Sequence, residues 1–171
     1  KNPERSIDLK LLVDEIRQRG MRPPLLLRFT DILKHRLGEI HGSFQKAIAE
    51  LNYKGTYRCV YPIKVNQQRH VVEEVLDFGT EFGFGLEAGS KPELLAILGM
   101  VDNDITPIIC NGFKDGPYVE AVVLAKKLGK NIIPVVEKFT ELELIVNAAA
   151  KMNVRPAIGV RIKLASRGSG R

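Results

Sequence analysis

The sequence predicts an α/β protein, the N-terminal part of a (β/α)8 barrel, and two observations carry this. From Tyr57 onward, apolar strand-like segments alternate with helical segments of about ten residues, the pattern of βαβ units in a parallel sheet. Each strand also ends in a polar residue, Lys64, Glu87, Asn111, Glu137 and Arg161, at intervals of 23, 24, 26 and 24 residues. That spacing is one βα unit, so five units bring a polar side chain to the same height. A barrel builds its active site at the C-terminal ends of its strands, whereas an open doubly wound sheet does so only near a switch point. Five polar ends in a row favour the barrel. Five units do not close eight strands, so a longer protein is expected; the chain also starts without Met and stops in a loop, Gly168-Ser169-Gly170-Arg171.

Taken in order, a first helix is predicted over Ile7–Arg19, with apolar residues at 9, 12, 13 and 16 and Gly20 as its stop. Pro23-Pro24 leads into Leu25–Phe29, an apolar run that reads as a buried strand. Thr30 is expected to cap the next helix, with Asp31 at its positive dipole end, and apolar positions carry it to about Leu51. Strands follow at Tyr57–Val65, Phe82–Ala88, Ile105–Cys110, Ile132–Val136 and Ala157–Ile162. The helices between them are Gln68–Leu76, Pro92–Leu98, Tyr118–Leu128, ended by Gly129, and Glu141–Met152.

Alternate side chains of a strand face opposite sides of the sheet. With Lys64 go Val60 and Pro62, with Glu87 go Gly83 and Gly85, and with Arg161 go Ala157 and Gly159. The other parity holds Tyr61, Ile63, Val65, Phe84, Leu86, Ile158, Val160 and Ile162, which are expected against the helices. The polar set then points inward, above small residues that leave room for a ligand.

The net charge of +6 suggests a nucleic-acid partner only if it is focused. It is not. Residues 1–58 hold 12 Lys/Arg against 7 Asp/Glu, residues 59–150 hold 8 against 13, and residues 151–171 hold 6 and no acid. The excess sits at the two ends without interleaved aromatics, so no nucleic-acid role is expected. No apolar run approaches the roughly 18 residues of a membrane span, and Lys1–Arg5 has no apolar stretch behind it, so neither a span nor a secretory signal is expected. Cys59 and Cys110 are isolated in apolar segments, which suits buried thiols in a reducing, cytoplasmic compartment. His35, His41 and His70 fall on helices as surface or packing residues, and Asp102–Asp104 reads as a loop rather than a metal site.

Lys64 is the residue with the most chemistry. A lysine on the inner face of a buried strand loses hydration, which favours a neutral amine able to form a Schiff base with a carbonyl compound. The alternative is a structural ion pair with Glu87 or Glu137 across the barrel mouth, and the residues alone leave both open.

The stretch Tyr61-Pro62-Ile63-Lys64-Val65-Asn66-Gln67, followed by Gly85-Leu86-Glu87-Ala88-Gly89-Ser90-Lys91-Pro92-Glu93-Leu94, resembles the arginine decarboxylase family. That family is one of the alanine-racemase-like, fold-type III pyridoxal-phosphate enzymes, with ornithine and diaminopimelate decarboxylases as relatives. The likeness continues through Cys110–Asp115, Val136-Glu137-Lys138, Gly159-Val160-Arg161 and Leu164–Gly170, with Leu25–Leu33 upstream. The resemblance implies that Lys64 holds pyridoxal 5'-phosphate as a Schiff base and that Glu87 faces this lysine across the cofactor pocket. It also matches Arg161 to a strand-end arginine near the cofactor ring. Asn66, Asn111, Lys114 and Glu137 fall in family segments without an assigned step. Residues 1–29 would end a β-sheet domain and residues 30–171 would begin the barrel.

The same resemblance implies decarboxylation of L-arginine to agmatine and CO2 in polyamine synthesis, with Mg2+ as a second cofactor and a homo-oligomer as the working form. Alternatives are a decarboxylase of another basic amino acid and a catalytically silent regulatory homologue. The family's glycine-rich phosphate loop, the acidic partner of the pyridine nitrogen and a cysteine segment from the second subunit would all lie further along the chain. Ser166–Gly170 could be mistaken for a phosphate cradle, but it matches no phosphate-loop signature and reads as a loop.

Overall fold

Asp8 opens the first helix by accepting hydrogen bonds from the backbone amides of Lys10 and Leu11, at 2.9 and 3.1 Å. In this computed structural model, which describes residues 6–162 and residue 165, helix α1 runs Leu9–Gln18 and Gly20 stops it with a φ of +88°. Leu25–Phe29 is not a strand. It is extended but has no partner strand among the described residues, and Leu25, Leu27 and Phe29 are half-buried while Leu26 and Arg28 are exposed. An apolar run of five residues carries no information about a pairing partner, and Leu27 and Phe29 instead line a pocket with Ile32, Leu33 and Arg36 of the helix that follows. Thr30 is the first residue of α2 (Thr30–Glu50) rather than its cap; Phe29 occupies the cap position and makes no side-chain cap bond.

Five parallel strands follow, β1 (Val60–Pro62), β2 (Gly85–Ala88), β3 (Ile108–Cys110), β4 (Ile132–Val136) and β5 (Gly159–Val160). They lie side by side in chain order, β1-β2-β3-β4-β5. The order never reverses, so among the described residues the sheet has no switch point and winds in one sense, as a barrel does. Between the strands lie α3 (Arg69–Gly79), α4 (Lys91–Leu98), α5 (Gly116–Lys127) and α6 (Phe139–Met152).

The strands are shorter than the apolar runs predict, and local chemistry shows why. β1 gives way after Pro62 to a 3-10 turn, Ile63–Val65. A second 3-10 turn, Thr80–Phe82, consumes the start of the expected second strand and ends at Gly83. The Asn103 side chain accepts from the amides of Ile105 and Thr106, at 3.1 and 2.8 Å, tying down the start of the third.

The helix-facing parity holds for half of the residues assigned to it, Tyr61, Ile63, Phe84 and Leu86, which are buried or half-buried. Ile63, Leu86, Ala88, Ile108, Cys110 and Ile132 form one core with Val72, Val75, Leu94, Ile97, Tyr118 and Val122 from the helices. Each fully buried aliphatic chain there contributes about 1.5–3 kcal/mol. A second cluster, Val119, Val123, Ile145, Ala148 and Ala149, joins α5 to α6. Val65, Ile158, Val160 and Ile162 depart from the expectation, being 70%, 41%, 75% and 81% exposed. Val65 sits in the turn beyond β1, where strand alternation no longer holds, and β5 is the outer strand with no helix of the described residues packed on it.

No helix among the described residues is long and apolar enough to cross a membrane. Ser166–Gly170 lies outside the described residues.

Candidate active site

The register of the sheet sets the height of the site. Pro62 stands beside Glu87, Glu87 beside Ile109, Cys110 beside Pro134, and Val136 beside Val160. Asn111, Glu137 and Arg161 each follow the last residue of their strand, and Lys64 lies two residues past Pro62. All five strand-end residues accordingly line one open cleft of ≈ 700 Å³, together with Glu93, Gly112 and Phe113. The spacing of the βα units predicted this convergence, and the five residues do share one cleft.

Lys64 is exposed, which corrects the expectation of a dehydrated amine. The physical reason is that the 3-10 turn carries it past the end of β1, to the rim of the sheet rather than onto its inner face. The turn is nonetheless fixed. The Tyr61 hydroxyl donates to the Asn66 carbonyl at 3.2 Å, the Asn66 side chain accepts from the Gln68 amide at 3.1 Å, and Arg28 donates to the Gln68 side chain. The ion-pair alternative does not hold either: among the described residues Lys64 has no carboxylate within salt-bridge distance.

Glu87 is 5% exposed and, among the described residues, the one acidic residue lining the cleft from within a strand. Arg161 pairs with Glu137 at 3.0 Å, and the other carboxylate oxygen of Glu137 accepts from the Gly112 amide at 2.7 Å. Gly112 has a φ of +75°, and a Cβ there would lie 2.1 Å from the Gly89 carbonyl oxygen, so the loops after β2 and β3 touch backbone to backbone. The Asn111 amide donates to the Ala88 carbonyl at 2.8 Å, and Glu93 accepts from the Gly89 amide at 2.7 Å.

Sequence reasoning missed the partnership beneath these loops. Lys114 and Glu141 are both buried, 3.6 Å apart between Nζ and Oε2. Lys114 Nζ donates to the Gly112 and Val135 carbonyls at 2.7 and 2.5 Å. Burial pushes the Glu141 carboxyl up, but the amides of Glu137 and Lys114, the Lys114 ammonium and the Lys138 amide outweigh it, leaving its pKa below the ordinary value. A Glu three residues into a helix is a capping signal, but nothing in the sequence says that a lysine 27 positions earlier meets it.

The remaining titratable groups are structural. Burial pushes the Cys110 thiol up to about 12 and raises Tyr118 as well; its hydroxyl donates to the Ala88 carbonyl at 3.0 Å. His35 lies 3.4 Å from Glu39 on the surface of α2, and His41 stacks on Phe82. Among the described residues no group of three or more His, Cys, Asp or Glu side chains could hold a metal ion, so no step is assigned to Mg2+.

An amine, three carboxylates and a guanidinium line one open cleft at the C-terminal edge of a singly wound sheet. The pyridoxal binding domain of the pyridoxal-dependent decarboxylases matches residues 37–170, and the chain belongs to that family. Among its relatives is the biosynthetic arginine decarboxylase of Rhodopirellula baltica, 53% identical over 171 residues, which are 100% of this chain and 25% of that protein. The enzyme of the same name from Gloeobacter violaceus is also 53% identical, over 96% of this chain and 26% of that protein. The crystal structure of the biosynthetic arginine decarboxylase of Campylobacter jejuni superposes with a TM-score of 0.84 at 36% identity, over 94% of this chain and 28% of that one. The chain thus spans about a quarter of the length of the relatives it matches.

Proposed function

We propose that this chain supplies the lysine-bearing part of the active site of a pyridoxal-phosphate-dependent arginine decarboxylase, which converts L-arginine to agmatine and CO2. The observation that carries the reading is the convergence of Lys64, Glu87, Glu137 and Arg161 on one cleft, in a chain 53% identical to proteins of that name. The same reading takes residues 1–29 as the end of a β-sheet region and residues 30–171 as the start of the barrel, in a cytoplasmic enzyme of polyamine synthesis that works as a homo-oligomer.

The residues present fit the aldehyde end of pyridoxal phosphate. Among the described residues Lys64 is the one lysine lining the cleft, and no carboxylate within reach competes for it. When bound, the cofactor supplies an electron sink for the bond from the substrate α-carbon to its carboxylate. Lys64 would hold the cofactor by its aldehyde, through the side-chain amine. Glu87, nearly enclosed, lines the same cleft as that amine and is placed to face the bound group. The fixed turn from Tyr61 to Gln68 keeps the amine at one place on the rim, so little reorganisation precedes the reaction.

The test is arginine-dependent CO2 release by the full-length protein, with ornithine and lysine as comparison substrates. The expected result is release that requires pyridoxal phosphate and is fastest with arginine. Faster turnover of ornithine or lysine would overturn the substrate assignment. Turnover without pyridoxal phosphate, or none with any of the three, would overturn the reading as a whole.

A further inference from the structure

The Glu141 carboxylate reads the backbone of the site more closely than that of its own helix. It accepts from the Glu137 amide at 2.9 Å and from the Lys114 amide at 3.0 Å, whereas the amide of Lys138, at the start of α6, lies at 3.4 Å. Lys114 completes the clamp. Its ammonium donates to Gly112 and Val135, the first in the loop after β3 and the second two residues before Glu137. The buried pair therefore joins the two segments whose separation decides whether the Gly112 amide reaches the Glu137 carboxylate.

That bond matters beyond the loop. The Arg161 side chain is 64% exposed, and Glu137 is its ion-pair partner at the rim of the cleft. An exposed guanidinium on a flexible stem samples many rotamers, so where it points depends on how firmly its partner is held. We propose that Lys114 and Glu141 are positioning residues that fix Glu137 and, through it, aim Arg161 into the cleft. The geometric part stands on the contacts above; its consequence for cofactor binding rests on the proposed function.

The experiment uses the full-length protein carrying Lys114→Met, Glu141→Gln or both, with Glu137→Gln as reference. Equilibrium dialysis measures pyridoxal phosphate affinity, absorbance titration follows the lysine-bound cofactor against pH, and a crystal structure of the double variant locates Glu137. Either single variant is expected to weaken cofactor binding by roughly tenfold or more and to shift the titration in the direction Glu137→Gln does. Adding Glu137→Gln to the double variant is expected to cost less than about twofold more, because the three residues act as one unit. Should a single variant fail to fold, the double variant, which leaves no unpaired buried charge, carries the same readouts. A lowered thermal midpoint with affinity and titration unchanged would overturn the proposal, as would a fully additive loss or a Gly112–Glu137 bond that persists in the double variant. Failure of the wild-type protein to bind pyridoxal phosphate would refute the proposed function alone, and the crystal structure would then decide the positioning claim.

Discussion

Lys64 and Glu87 share a cleft but not an environment, and their expected sensitivities differ accordingly. Lys64 is exposed at the rim; Glu87 is nearly enclosed. In the full-length protein Lys64→Ala should abolish the visible absorbance of the lysine-bound cofactor and cut turnover by orders of magnitude. Lys64→Arg should fare no better, because a guanidinium stays protonated and cannot condense with an aldehyde. Glu87→Gln should keep the cofactor but slow turnover. Absorbance and CO2 release check all three, and full activity in Lys64→Ala would refute the assignment. Glu141 gives a pH signature. Its carboxyl is held below the ordinary value of 4.5, so its contribution to stability is present above that value and is lost as pH falls through the lowered one. Glu141→Gln should cost about 3–5 kcal/mol at neutral pH by leaving the Lys114 charge uncompensated, and the deficit should shrink at acid pH. Urea unfolding between about pH 3 and 7 measures it; a pH-independent deficit would contradict the charge argument.

At the scale of elements, the loops carry more of the site than the strands do. Gly112→Ala should destabilise the protein by about 1–3 kcal/mol, since the residue has a positive φ and its Cβ would meet the Gly89 backbone. Gly116→Ala, where an added Cβ meets nothing within 4 Å, should be neutral or slightly stabilising. Equal urea midpoints for the two variants would contradict the close approach of these loops. The helices and the order of βα units were legible because the alternation of strand-like and helical segments and a unit repeat near 24 residues are properties of the chain alone. Strand limits were not, because Pro62, Gly83 and the Asn103 side chain cut the apolar runs short. Leu25–Phe29 misled for a related reason, as an apolar run shows hydrophobicity without showing a partner. The Lys114–Glu141 pair was illegible because its members meet only after β4 and α6 have packed.

On the scale of the whole molecule, the sheet shows one strongly built face and one open edge. Leu86, Ile108 and Ile132 are fully buried under the helices, whereas Val160 and Ile162 at β5 are exposed, as is Phe139 at the start of α6. Expressed alone, the 171-residue chain should therefore bind a hydrophobic dye and self-associate, since an exposed strand edge with apolar side chains invites pairing. Sharp, cooperative unfolding of a soluble monomer would contradict this. The central claim is narrower, that Lys64 is the residue the cofactor joins, and one measurement addresses it directly. The full-length protein is loaded with pyridoxal phosphate, treated with borohydride to make the lysine–cofactor bond permanent, digested, and its modified peptide located by mass. The expected result is a single modification, on the lysine of Tyr61-Pro62-Ile63-Lys64-Val65-Asn66. A modification confined to another lysine, or scattered over surface lysines such as Lys34 and Lys46 with Lys64 unmodified, would contradict the account.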